Sequence, residues 1–405
     1  MITEHFYTRY GLALILLKND ISKLEDISHE MLKKELSHGM HHFRLKPDKY
    51  DMKSDAMKFL YASKEFIEND LKKEKHLSAN GYYLTPNILS TDKQASQTWN
   101  ALKKLYKEMD VKGKLSKSGN ATQSIIPITA KFNNGKTTQT SPKASSLELA
   151  LCLITTTTPE KASMQVFKKR SFESVAIIPD LGIKDLVEFI DIFESLKGSY
   201  VDKLLHGKYD INSKQKKFYR PKLIHGNFPY APKRTELYSA SLLGAIGWWA
   251  NEAKAEDSEI AKRVLNNLKN TNLYIISYGN VKIKNYGNYV IDLAQDNKLN
   301  EVIDALTGFK PYIPDDTSMK VKEAKKKTFF MHASKFLQLF DKNSFKEFIS
   351  VRGEYPYNLI ILFNLFFKSF KGEIMKLSDE LIDSAYHFGQ WINRCAYVAA
   401  VKESR

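Results

Sequence analysis

Apolar residues recur every three or four positions through much of the first hundred residues. The pattern predicts helices near 20–38, 54–77 and 94–110. Phe59, Leu60, Phe66, Ile67 and Leu71 mark the second of these, and Pro47 and the 81–86 stretch are its obvious breaks. From Val111 to Ser146 the chain shifts to Lys, Gly, Ser, Thr and Asn, enclosing a short strand candidate at 124–132. Ser145 then opens a helix through Leu147, Leu149, Ala150 and Leu153. Strand signals at 164–167 and 174–178 precede an amphipathic helix over 184–196.

Residues 203–234 are rich in turns and charge, and helices resume at 236–250 and 258–269. Three β-rich runs follow at 273–278, 281–285 and 289–293. Gly279-Asn280 and Gly287-Asn288 separate them as turn pairs, which predicts a three-stranded antiparallel meander. Past Pro311 and Pro314 the pattern is helical to the end. Phe329, Phe330, Ala333, Phe336, Leu337 and Phe340 form one stripe. A second runs from Leu381 through Phe388 and Ile392 to Ala399, with Asp383, His387, Gln390 and Arg394 turned away. The expected class is α+β: a mixed, largely helical body over 1–318, then a C-terminal helical bundle over 319–405.

At 405 residues and 43% hydrophobic, the chain has ample material for a core, which excludes a disordered protein. Its two cysteines, Cys152 and Cys395, exclude a disulfide framework and a cysteine-based zinc site, and a reducing compartment fits. The longest apolar runs, 11–17 and 359–367, fall short of the ~20 residues that cross a bilayer. Glu4 stands where a secretory signal carries basic residues, so the expectation is a cytoplasmic protein with no membrane partner.

Enzyme signatures fail on spacing. Gly135-Lys136-Thr137 ends like a phosphate-binding loop, but Ala130 occupies the position of its first glycine. His38, His41 and His42 have ligand-like spacing without a matching Asp, Glu or Cys, and read as a solvated helix end. Asp315, Glu323 and Lys325 imitate the acid–acid–lysine set of magnesium nucleases. The second acid should then lie on a buried strand, and the surrounding lysines read instead as a charged linker or helix start. No catalytic residue, metal site or cofactor is expected.

The positive signal is basic. The formal net charge is +16, yet only nine of the 62 basic residues are Arg. Nine lie within 203–234 against the single acid Asp210, interleaved with aromatics. From this stretch Lys214, Lys216, Lys217, Tyr219, Arg220, Lys222, Phe228, Lys233 and Arg234 are candidate nucleic-acid contacts. Lys and Arg neutralise phosphates while aromatic faces stack on unpaired bases. A second stretch, 103–143, adds Lys112, Lys114, Lys117, Lys131 and Lys136, in a context of glycines and hydroxyls that also bind phosphate. The run 320–327 holds five Lys and reads as a solvated face. With few Arg for bidentate base contacts, most contact falls on phosphate and any sequence reading is short.

The segment Tyr386-His387-Phe388-Gly389-Gln390-Trp391-Ile392-Asn393-Arg394 and the small-residue helix at 242–249 carry a resemblance, with a little added by Tyr278-Gly279-Asn280. Together with the basic, non-enzymatic character, they make the chain resemble the large subunit of type I CRISPR Cascade complexes. The resemblance implies recognition of a short protospacer-adjacent motif in target double-stranded DNA, help in opening it, and a hold on the displaced strand. It also implies a guide RNA, other Cascade subunits and a recruited nuclease-helicase as partners. A stand-alone single-stranded RNA- or DNA-binding protein is the alternative from the residues alone, ahead of the nuclease.

Overall fold

The computed structural model describes residues 5–51, 56–62, 83–90, 94–113, 118–120, 143–168, 171–199, 206–209, 221–226, 234–277, 280–309 and 317–339. It also describes single positions and short pieces, among them 53, 115, 122, 125–127, 358, 361–362, 364–366, 387, 390–391 and 394. The apolar run at 11–17 becomes the centre of helix α1 (Phe6–Lys18). A helix with no polar face belongs inside a protein. α1 accordingly lies between α4 (Ser146–Thr157) and α5 (Ile183–Ser199), with Tyr7, Tyr10, Leu12 and Leu14 buried. α2 (His29–His41) starts on Ser28, whose hydroxyl accepts from the Met31 N–H. α4 starts on Ser145, which exchanges hydrogen bonds with Glu148 in a capping box. α3 (Ala95–Lys112) ends on Gly113 at φ +61°, a left-handed cap that costs glycine no side-chain clash.

Among the described residues, nine strands form one antiparallel sheet. They are β1 (Arg44–Asp51), β2 (Ala56–Tyr61), β3 (Tyr83–Leu84), β6 (Ala162–Lys168), β7 (Ser171–Pro179), β8 (His206–Tyr209), β9 (Pro221–Ile224), β10 (Leu273–Ser277) and β11 (Asn280–Lys284). Their order across the sheet is β11-β10-β7-β6-β9-β8-β2-β1-β3. A small separate ladder pairs β4 (Ser118–Asn120) with β5 (Lys143–Ser145). The helices α6 (Tyr238–Glu252), α7 (Ala255–Asn267), α8 (Asn288–Gln295) and α9 (Leu299–Gly308) pack together around α6. The long helix α10 (Met319–Leu339) buries the Phe329–Leu337 part of its predicted stripe in the main core. Leu45, Phe59, Tyr83, Phe172 and Ile224 form a smaller second cluster on the sheet.

The mixed α+β class holds, and several local expectations do not. Residues 56–61 are strand β2, not part of a helix, because Phe59 points inward while Lys58 and Leu60 are exposed, in register with β1 and β8. Among the described residues, the first hundred positions therefore carry three strands beside their helices. Helix formation within 20–38 is confined to a short 3-10 turn at Leu24–Asp26 and to α2. At the strand candidate 124–132, Ile125–Pro127 form a turn, and the rest lies outside the described residues. The meander loses its third strand: β10 and β11 pair, but 288–295 is helix α8. Val290, Ile291, Leu293 and Ala294 are all buried, a spacing that fits one helix face and no strand. His387, Gln390 and Arg394 are exposed on helical backbone, as is Trp391; the remainder of that stripe is outside the described residues.

Candidate nucleic-acid interface

The basic stretch 203–234 is tied to the middle of the sheet. β8 and β9 pair with each other, Lys208 opposite Leu223, so both ends of the intervening segment are anchored on adjacent strands. Lys214, Lys216, Lys217, Tyr219 and Arg220 belong to that segment and lie outside the described residues, as do Phe228 and Lys233. Lys222 is in β9. Arg234 is half-buried, with its guanidinium 4.8 Å from the centre of the Phe330 ring. That cation–π contact fastens the end of the stretch to α10. In the other stretch Lys112 is the last residue of α3, while Lys114, Lys117, Lys131 and Lys136 lie outside the described residues.

A buried ionic hub at the end of α4 has no signature in the sequence. Glu160 is 5% exposed and receives Lys18 at 3.1 Å, His38 Nε2 at 3.2 Å and Lys197 at 3.9 Å, drawing together α1, α2 and α5. Burial alone would raise its pKa. His38, Lys197 and Lys18 outweigh that and hold the carboxyl well below its usual range. The next residue, Lys161, is fully buried and donates to the carbonyls of Asn87, Thr155 and Thr156. Three acceptors match the three protons of an ammonium, and two of them are carbonyls the helix end leaves open.

The histidine cluster sits in this hub, so the expectation of a solvated helix end fits His41 alone. His42 Nδ1 donates to the His38 carbonyl at 2.8 Å, and its ring meets the Tyr61 ring edge-on. Burial lowers the His42 pKa from 6.5 to about 4, against that hydrogen bond. Between these values the unfolded chain binds a proton that folded His42 refuses, so stability falls as pH drops from about 6.5 to about 4. Thermal unfolding across that range should show the decline, and His42→Gln should flatten it. A variant with an unaltered profile would mean that other groups carry the acid sensitivity.

Beside the hub, between α2 and α3, is a cavity of about 530 Å³ lined by Lys18, Lys33, Lys34, Glu35, His41 and Tyr106, among others. Lys18 is held by Glu160 and Glu35, and Lys33 by Asp110 at 2.7 Å, so carboxylates neutralise these cations in place. Of the nuclease-like set, Glu323 is exposed on α10 and paired with Lys326, and Lys325 is on the same helix. Neither is on the buried strand that such a site requires, and Asp315 lies outside the described residues. Among the described residues no group of three His, Cys, Asp or Glu is placed to hold a metal ion, and no helix is long and apolar enough to cross a membrane.

The family model for CRISPR-associated protein Csp2 matches residues 5–405. The chain belongs to this family of type I Cascade large subunits, and is thus a CRISPR Cascade subunit that works alongside other subunits. No curated protein and no solved structure matches it.

Proposed function

We propose that this chain is the non-catalytic, DNA-binding large subunit of its Cascade complex. It recognises a short protospacer-adjacent motif in duplex DNA, helps open the duplex, and assists recruitment of a separate nuclease-helicase in the cytoplasm. A guide RNA supplies the remaining specificity by base pairing. The observation that carries the reading is the family match across nearly the whole chain. The lysine-rich 103–143 and 203–234 stretches support a grip on phosphates, and the scarcity of Arg supports a short motif. Residues 319–405 then meet neighbouring subunits or the displaced strand.

The test is duplex binding by the purified chain, and by its complex, to a pool with a short randomised tract across a salt series. Enrichment of a two- to four-base motif is the expected outcome, consistent with a few base contacts. Neutralising Lys214, Lys216, Lys217 and Arg220 together should weaken binding at least tenfold. It should also cut the salt slope by up to about 3.6, or 0.9 for each phosphate that the variant no longer neutralises. Unchanged binding in that variant would remove the 203–234 stretch from the interface. Tight binding to single strands without other subunits, and no motif, would favour the stand-alone reading.

A further inference from the structure

Among the described residues β11 is one edge of the nine-stranded sheet, and α10 lies over it. Lys282 and Lys284 alternate with Val281 and Ile283, so both lysines project from one face, alongside Ile275 and Leu273 of β10. Lys327, Met331, Ser334 and Gln338 of α10, spaced three and four apart, close the other side of a cavity of about 250 Å³. Lys284 forms part of its wall, donating to the Glu236 carbonyl at 2.8 Å and to the Ser334 hydroxyl. Burial is the main cause that lowers the Lys284 pKa to about 8, and the charge of Lys282 lowers it further. Three lysines, Lys282, Lys284 and Lys327, thus line the cavity against two carboxylates, Glu173 and Glu236.

Three residues form the exposed rim: Lys282, Lys327 and Met331. Among the described residues no carboxylate forms an ion pair with Lys282 or Lys327. The carboxylates that line the cavity, Glu173 and Glu236, are half-buried and flank Tyr238; Glu173 is on β7, two strands in from the edge. Lys320 is also exposed and stands seven residues before Lys327, two turns earlier on the same helix face. The cations thus continue along α10 as a track about 10 Å long, which suits a polyanion better than a small anion.

We propose that this sheet-edge cavity is a phosphodiester-binding site for a nucleic-acid backbone. Lys282 and Lys327 hold phosphates at the rim, with Lys284 adding positive field from the wall. Lysines placed this way position a strand without reading its sequence. The site shares only its ligand class with the function proposed above, and uses none of the residues of 103–143 or 203–234.

The experiment is titration of the full chain with one labelled single-stranded sequence, made as RNA and as DNA, across a salt series. Lys282→Gln/Lys327→Gln should weaken binding about tenfold and reduce the salt slope by about 1.4, or 0.7 for each phosphate neutralised on a single strand. Lys282→Arg/Lys327→Arg should restore both. A loss confined to RNA, confined to DNA, or common to both supports the site and identifies its source. Equal affinity and slope in the Gln variant, or no binding by the unaltered chain, overturns it. The variant at 214, 216, 217 and 220 is run in parallel on duplex, so either reading fails without the other. Both lysines are exposed, so matching thermal unfolding of all variants is expected to show that the fold is kept.

Discussion

Gly247→Ala is expected to destabilise the protein by about 3 kcal/mol, despite alanine being the better helix former. Gly247 is in the middle of α6, where α8 crosses it. A Cβ at this position would stand 1.8 Å from the Ala294 carbonyl oxygen and 2.5 Å from its carbon. Both obstructing atoms are backbone, so no side-chain rotation relieves the overlap. The two helices would have to separate by more than roughly 1 Å, opening the core that Leu243, Ile246, Val290 and Ile291 share. The gain of up to about 1 kcal/mol from replacing a mid-helix glycine does not offset this.

Gly308 provides the internal comparison. It ends α9, and nothing lies within 4 Å of a Cβ built on it. Gly308→Ala should leave stability within about 0.5 kcal/mol of the parent, or raise it slightly. Urea unfolding of both variants measures the difference directly. Similar midpoints for the two would show that α6 and α8 are not in close contact.

The glycines at 244 and 247 are readable in the sequence as sites of close approach, because an apolar helix with small residues must let something near. The identity of the approaching element is not readable. The 288–295 segment looks like a strand from its β-branched residues, yet its buried set falls at helical spacing. Residues 56–61 mislead for the opposite reason. Phe59, Leu60 and the residues beyond can be fitted to a helical period, and only the pairing with β1 and β8 selects the alternation. Elements with strong local signals are legible: the helix that Ser145 opens, the strands β6 and β7, and α5 to α7.

The candidate interface proposed above rests on composition more than on geometry. Clustered lysines are the reason to propose a polyanion partner, but charge alone does not distinguish a cation that is offered from one already engaged. Arg234 belongs to the most basic stretch and is stacked on Phe330. Lys327 belongs to a run that reads as a solvated face; it is exposed and also borders a cavity with Lys282, which lies 45 residues earlier. The period-two placement of Lys282 and Lys284 is visible in the sequence; their convergence with α10 depends on the sheet order. Glu160 and Lys161 carry no signal at all, since a Glu-Lys pair after a threonine run resembles any exposed turn.

That pair should nevertheless govern stability. Glu160→Gln keeps the side chain's shape and removes the charge facing Lys18, Lys197 and His38. Breaking a buried pair from one side costs about 3–5 kcal/mol, and the partial exposure of Lys18 and Lys197 places the expectation at the lower end. Because the folded carboxyl titrates below its unfolded value near 4.5, its stabilisation is complete above that pH and is lost as pH falls below it. The loss on substitution should therefore be largest at neutral pH and shrink in acid. Lys161→Met keeps the length and removes the donors, leaving three buried carbonyls short of a partner, at a cost of about 3 kcal/mol. That cost arises from donors rather than from Glu160, so it should persist at acid pH. Urea unfolding of both variants at pH 7 and pH 4 separates them. Parallel pH responses would mean that the two side chains act as one ion pair, and the division of labour drawn from their hydrogen bonds would fall.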